Sequence, residues 1–132
     1  MIKEIAEQYA NAVWNEKDLS AIDRLIDPSA VIHSLLGNFH GPKDMRKMVQ
    51  AWLTGFPDLR VRNLATLLDD DRVAIQWEAQ GTHQGEFKSL APSGRSVSYS
   101  GVTIYQIRNG KIIEYWAYLD MQHLLNQIHI GK

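Results

Sequence analysis

Near the N-terminus, apolar side chains at Ile2, Ile5, Ala6, Tyr9, Ala12 and Val13 recur at helical spacing, while Lys3, Glu4, Glu7 and Asn11 are polar. That pattern predicts an amphipathic helix with one face on a core. Residues 15–18 interrupt it, and Asp18 can cap a short second helix carrying Leu19, Ile22, Leu25 and Ile26. Asp27-Pro28 ends that helix, because the residue before a proline avoids the helical region. Residues 30–33 read as a short strand and 37–41 as a turn. Pro42 suits the first helical position, where its missing N–H costs nothing. The third helix puts Met45, Met48, Val49, Trp52 and Leu53 on one face and closes at Gly55.

From Leu59 onward the repeat shortens to two residues, the period of a strand. Strands are expected over 59–68, 72–83, 95–108 and 111–120. The turns fall at Asp69-Asp70-Asp71, Pro92-Ser93-Gly94 and Asn109-Gly110. Asn109-Gly110 is a strong hairpin signal, since both residues tolerate positive φ. In 72–83 the alternation is clean. Val73, Ile75, Trp77, Ala79 and His83 face one way, and Ala74, Gln76, Glu78, Gln80 and Thr82 the other. Residues 121–129 form a final short helix. Helices, then hairpin-linked strands, give an α+β fold with a curved, mostly antiparallel sheet backed by helices. The whole chain, 1–132, reads as one domain.

Composition narrows the partners. The chain has 132 residues with 14 Lys+Arg against 15 Asp+Glu, a net charge of −1. No basic excess draws in nucleic acid. Cysteine is absent, which removes disulfides, thiolate metal sites and a thiol nucleophile from this chain. Lys3, Glu4 and Glu7 break up any secretory h-region, and no apolar run is long enough for a membrane span. The expectation is a soluble, cytoplasmic protein that meets neither nucleic acid nor membrane.

Candidate chemistry then rests on His, Asp, Glu, Tyr, Ser and Lys. His83 ends an apolar strand face. It is either a core-edge histidine hydrogen-bonded to backbone or an acid, base or donor at a pocket mouth. Asp120 ends the last strand, on one face with Trp116 and Tyr118. A carboxylate desolvated there would be a proton acceptor near neutral pH. Asp is also favoured as the N-cap of the helix that starts at Met121, and spacing alone favours that cap, although the two roles need not exclude each other. His33 gains interest if the strand ends converge. His123 and His129 do not stack on one helix face, and no HxxxH or HExxH spacing points to a metal. Trp14, Trp52, Phe56, Trp77, Trp116 and Tyr118 read as core or as the walls of an apolar cleft.

Four stretches carry a family resemblance: Phe56-Pro57-Asp58-Leu59, Gly81-Thr82-His83-Gln84-Gly85-Glu86-Phe87, Pro92-Ser93-Gly94-Arg95, and Gly110-Lys111-Ile112-Ile113-Glu114-Tyr115-Trp116 with Asp120 behind it. Together with Gly41-Pro42, the chain from Ile2 to Ile128 resembles the SnoaL-like polyketide cyclase (ester cyclase) family. That resemblance implies an NTF2-like, cystatin-like cone enclosing an apolar pocket, and a homodimer formed through the outer sheet face. It also implies a cofactor-free, metal-free cyclase of lyase or isomerase type, closing a ring by aldol-type chemistry on a small carbonyl-containing apolar or aromatic molecule. Asp120 holds the position of the general acid/base. His83 and His33 would be donors or proton carriers. Trp116, Tyr118, Trp52, Phe56 and Trp14 would be walls, and Gln106 takes the penultimate-strand position facing the Asp. Two other readings stand beside it. One is a non-catalytic ligand-binding or dimerisation module. The other is an isomerase or hydrolase in the same pocket. Asp120 discriminates: a base must face the cavity, whereas a helix cap can face outward.

Overall fold

A computed structural model describes residues 1–129, with side chains through Ile128. The expected domain runs on to residue 132, and its end, with the His129 side chain, lies outside the described residues. In chain order the elements are α1 (Ile2–Ala10), a π-helical turn (Asn11–Asn15), α2 (Ser20–Leu25), β1 (Ile26–Ser34), β2 (Gly37–His40) and α3 (Gly41–Gly55). Then come β3 (Arg60–Asp69), β4 (Arg72–Thr82), β5 (Ser96–Arg108), β6 (Lys111–Leu119) and α4 (Met121–His129).

The strands form one sheet in the order β2-β1-β6-β5-β4-β3. Every pairing is antiparallel except β1 on β6. The α+β class and the sheet wrapped on helices are as the pattern predicts. The β4 alternation holds as well. Val73, Ile75 and Ala79 are buried on the helix side, and Gln76 and Gln80 are exposed on the other. Asn109 and Gly110 have φ of 52° and 76°, the two positive values that a tight twisted hairpin requires.

Three local readings need correction. The N-terminal helix loosens at Asn11 into a π turn, where the Glu16 N–H reaches the Asn11 carbonyl at 3.1 Å. Asn15 accounts for the shift. Its side-chain amide donates to the Val61 carbonyl (2.9 Å) and its oxygen accepts from the Val61 N–H (2.7 Å), so the turn is tied to edge strand β3. Residues 37–40, expected as a turn, are strand β2, which folds back on β1 with Val31 opposite His40. Strand β1 starts at Ile26 rather than near Ala30, and its register on β6 is broken between Ile26 and Val31. Pro28 lies in that break, where its missing donor does no harm.

The core lies between the concave side of the sheet and α1, α2 and α3. It is built on Tyr9, Ile22, Met45, Val49, Ile75, Tyr105 and Tyr115. Helix α4 is fastened to β5 by Gln127, whose side chain accepts from the Ser98 N–H (2.9 Å) and donates to the Ser98 carbonyl (2.8 Å). Among the described residues no helix is long and apolar enough to cross a membrane.

Candidate functional site

The concave side of the sheet does not close completely on the helices. It leaves a cavity of about 610 Å³, counting the open mouth. Strand β4 contributes Ile75, Trp77 and Ala79, β5 contributes Tyr99, Thr103 and Tyr105, and β6 contributes Tyr115, Ala117 and Leu119. Met48 and Trp52 from α3 form the opposite wall, with Ala10 and Trp14 beside them. Trp14 belongs to the π turn that Asn15 ties to β3. Such turns recur at functional sites because they re-aim side chains. Ser34, Leu35, Leu59, Val61 and Asn63 complete the lining.

Room for the large rings comes from two places. Gly101, opposite Trp77 across β4 and β5, lacks the Cβ that would stand 2.7 Å from the indole. Trp52 packs on Phe56, Phe87 and Tyr99, with centroids 6.2, 4.8 and 5.7 Å away. The tyrosines continue the aromatic lattice edge to face: Tyr9 on Tyr105 at 6.1 Å and Tyr105 on Tyr115 at 5.3 Å.

The lining is mostly apolar and carries no charge, since it holds no Asp, Glu, His, Lys or Arg. Its polar atoms belong to phenols, indoles, Thr103, Ser34 and Asn63. Burial pushes the Tyr99, Tyr105 and Tyr115 phenols above the ordinary tyrosine range, so each stays protonated and can donate at neutral pH. The Trp77 indole donates to the Thr103 hydroxyl at 2.9 Å.

Of the candidate site and wall residues, Trp14, Trp52 and Trp77 line this cavity, whereas Asp120, His83, His33, Phe56, Trp116, Tyr118 and Gln106 do not. Asp120 is exposed at the head of α4, where its carboxylate accepts from the His123 N–H at 2.9 Å. It is therefore placed as a helix cap, not inside the cone. Trp116 and Tyr118 share the convex face of β6, and Tyr118 is 54% exposed. The expectation erred by one residue of register, because Tyr115, Ala117 and Leu119 take the concave side. His33 is also convex. Its Nε2 meets Glu114 at 2.7 Å, and its ring stacks on Trp116 with centroids 5.6 Å apart. The Arg72 guanidinium lies 4.8 Å from the Trp116 ring centre. Gln106 donates to Asp71 (3.1 Å), which also accepts from Arg108 (3.0 Å). Gln106 and Arg108 together hold the Asp71 carboxyl below its usual range.

Phe56 and His83 are fully buried beside the cavity without lining it, their rings 5.6 Å apart. His83 Nδ1 accepts from the Ser93 N–H at 3.1 Å, so a neutral ring carries its proton on Nε2. Nε2 is buried without a well-formed partner, and burial lowers the affinity of this imidazole for a second proton, weakly opposed by the Leu90 backbone. His83 thus pins the 84–95 loop, the core-edge role. His33, His83 and Asp120 are not brought together. No group of three or more His, Asp or Glu side chains suited to a metal occurs among the described residues.

Comparison with known proteins fits this geometry. The sequence profile of the SnoaL-like polyketide cyclases matches residues 4–128. The chain belongs to the SnoaL-like polyketide cyclase family. AclR of Streptomyces galilaeus, a proposed hydroxylase, is 32% identical with a TM-score of 0.85, over 96% of this chain and 94% of that one. IdmH of Streptomyces antibioticus, a proposed polyketide cyclase, is 25% identical with a TM-score of 0.78, over 94% and 96%. A SnoaL-like protein from a Jannaschia species shares the fold at 20% identity and a TM-score of 0.86, over 99% and 96%. No curated protein matches significantly. The relatives' names divide between a hydroxylase and cyclases. The family therefore defines the SnoaL-like cone and its cavity rather than one reaction.

Among the cavity residues that sequence reasoning missed are Tyr99, Thr103, Tyr105 and Tyr115. A signal for most of them existed on β5. There Val97, Tyr99, Thr103, Tyr105 and Ile107 alternate with Ser98, Ser100, Gln106 and Arg108, in phase with β4.

Proposed function

We propose that this SnoaL-like protein binds a flat, uncharged, largely aromatic molecule carrying a carbonyl group inside the cone. One observation carries the reading: a cavity walled by Trp and Tyr rings, with neutral donors and no Asp, Glu, His, Lys or Arg among its lining. Aromatic walls favour a planar ligand through area burial and ring stacking. An anionic or cationic ligand would enter a site with no opposite charge, and an unpaired buried charge costs several kcal/mol, on the order of 100-fold or more in affinity.

Three near-isosteric probes test this by calorimetry: 2-acetylnaphthalene, 2-isopropenylnaphthalene and 2-naphthoate. Both neutral probes are expected to bind and to compete with each other, with 2-naphthoate weaker by about 100-fold. Binding of 2-naphthoate as tight as that of the ketone would contradict the reading.

Ring-closing or other enolate chemistry is the second reading, favoured by the phenols. Buried neutral donors stabilise an oxyanion as it forms at a carbonyl. In that reading the proton leaves to water or to a basic group of the substrate, because the Asp120 carboxylate faces outward at its cap. Asp120, His83 and His33 draw no support as catalytic groups from where they stand.

A homodimer through the convex sheet face is part of the same proposal. That face carries Leu67, 70% exposed, and Tyr118 beside half-buried Val102 and Ile104. Light scattering at micromolar concentration should give twice the chain mass, and Tyr118→Lys should halve it. A particle of single-chain mass in the unmodified protein would refute the dimer.

A further inference from the structure

Helix α3 delivers Trp52 to the cavity wall from its last turn, where carbonyls lack helical partners and a helix frays. That end is held from outside by the segment 83–95, which joins β4 to β5 and contributes nothing to the cavity lining. The N–H groups of Gln84 and Gly85 both donate to the Gly55 carbonyl, at 3.0 and 3.2 Å. Two glycines allow the approach. A Cβ on Gly85 would stand 1.9 Å from the Thr54 carbonyl oxygen, and one on Gly55 would stand 2.8 Å from Phe87 Cβ. Phe87 is 2% exposed and reaches Trp52 with ring centroids 4.8 Å apart, closer than Tyr99 or Phe56. Phe87 is itself fixed. Its N–H donates to the Leu90 carbonyl (3.1 Å) and its carbonyl accepts from the Leu90 N–H (2.9 Å), around a turn in which Lys88 and Ser89 have φ of 49° and 66°. Non-glycine residues hold such conformations only where their surroundings over-determine them. His83 closes the neck of the loop. Its N–H donates to the Arg95 carbonyl (2.9 Å), its carbonyl accepts from the Gly94 N–H (2.8 Å), and its Nδ1 accepts from the Ser93 N–H. Asp58, just beyond α3, accepts from the Thr82 N–H and hydroxyl, each at 2.8 Å.

Two of the stretches that carry the family resemblance, 56–59 and 81–87, thus meet at the end of α3, and 81–87 supplies no residue to the cavity lining. Resting on the proposed ligand class, we infer that the 83–95 loop is a latch on α3 whose Phe87 is a positioning residue: it holds the Trp52 indole in the cavity wall and so sets affinity for a flat ligand that Phe87 itself does not touch. An indole already fixed in place loses no rotamer freedom when a ring stacks on it. A side chain that must first be ordered weakens binding by roughly 2- to 12-fold. The 81–87 stretch therefore has a use in which no proton moves. His83 closes the loop, Gly55 and Gly85 admit it to the helix, and Phe87 carries its effect to the cavity.

A double-mutant cycle on the calorimetric affinity for 2-acetylnaphthalene tests this. Phe87→Leu should weaken binding by about 3- to 10-fold. In a Trp52→Leu background the same change should cost less than about twofold, because the residue it acts through is gone. Asp58→Ala, which cuts the exposed tie to Thr82, should give a smaller loss that also vanishes in that background. Equal losses from Phe87→Leu in both backgrounds, or none in either, would overturn the latch. Fluorine NMR reads the indole without a ligand. The protein labelled with 5-fluorotryptophan should give four signals, one for each Trp, and Trp52→Phe identifies that of Trp52. Phe87→Leu should move or broaden the Trp52 signal and leave those of Trp14 and Trp116 in place. A Trp52 signal that stays where it was, or all four broadening together as in a general loosening, would contradict the inference. Failure of the unmodified protein to bind 2-acetylnaphthalene would remove the ligand class, and the NMR result would still decide whether Phe87 positions Trp52.

Discussion

The two faces of this sheet are built from alternate residues of the same strands, yet they solve opposite problems. On the concave face of β4 and β5 the polar atoms are neutral. Trp77, Tyr99, Thr103 and Tyr105 carry them, and the surrounding helices cover most of that face. On the convex face charged side chains occur and find partners: Glu114 meets His33, Arg62 meets Glu78, and Asp71 accepts from Gln106 and Arg108. An ionised group persists where water or a partner screens it, and the buried concave face offers no partner charge and little contact with bulk water. The residue types that usually announce catalysis therefore collect on the side away from the cavity. What the cavity has to offer is shape, stacking and hydrogen-bond donation.

If that contrast is right, the faces should respond differently to loss of one indole. Trp52→Ala, in the cavity wall against Phe56, Phe87 and Tyr99, should cost about 3–5 kcal/mol in chemical denaturation. Trp116→Ala should cost roughly 1–2 kcal/mol, the worth of a ring stack and a cation–π contact at a half-exposed site. Equal costs would erase the distinction.

His83 sits on the buried side and should show it in pH dependence. Burial lowers its proton affinity in the folded chain, so the unfolded chain takes up the proton first as pH falls. Its contribution to stability is thus complete above its unfolded value of 6.5 and is lost as pH falls below that toward the lower folded value. The slope from this one group is at most about 1.4 kcal/mol per pH unit. His83→Gln should flatten the stability profile between pH 7 and pH 5. An unchanged slope would mean that His83 takes its proton without cost.

Asp120 tests the boundary between the faces. Asp120→Ala should lose about 0.5–2 kcal/mol of stability through the cap, and Asp120→Asn only a few tenths. Affinity for 2-acetylnaphthalene should be unchanged in both variants. A fall in affinity with Asp120→Asn would bring the carboxylate back to the ligand. The smallest effect belongs to His33 and Glu114, each about one-third exposed. A double-mutant cycle should give a coupling of roughly 0.2–1 kcal/mol that shrinks with added salt.

How far the sequence reveals this contrast varies from strand to strand. On β4, Gln76, Glu78 and Gln80 mark the convex side so clearly that its register could be read directly. On β6 both sides are apolar, with Tyr115, Ala117 and Leu119 against Trp116 and Tyr118. Hydrophobicity cannot choose between two such faces. The choice falls to packing with Tyr105, and to Arg72 and His33, which cover the indole from distant parts of the chain. Asp120 was misplaced for that reason, although its capping role was visible beside Met121. The π turn was hidden for a similar one. It depends on Asn15 meeting Val61, a contact between positions far apart in sequence. Element order, by contrast, follows from local periodicity and turn residues. The exception is β2, whose few residues carry a turn-like composition and gain their ladder from β1.

A crystal structure of the protein with 2-acetylnaphthalene would test the division of labour between the faces most directly. The ring system is expected between Trp52 and Trp77, with the ketone oxygen at about 2.5–3.0 Å from one of the Tyr99, Tyr105 and Tyr115 hydroxyls. Thr103 should still hold the Trp77 N–H. A ligand seated on the convex face beside Trp116 and His33, or one whose ketone turns away from these phenols toward Asp120, would contradict it.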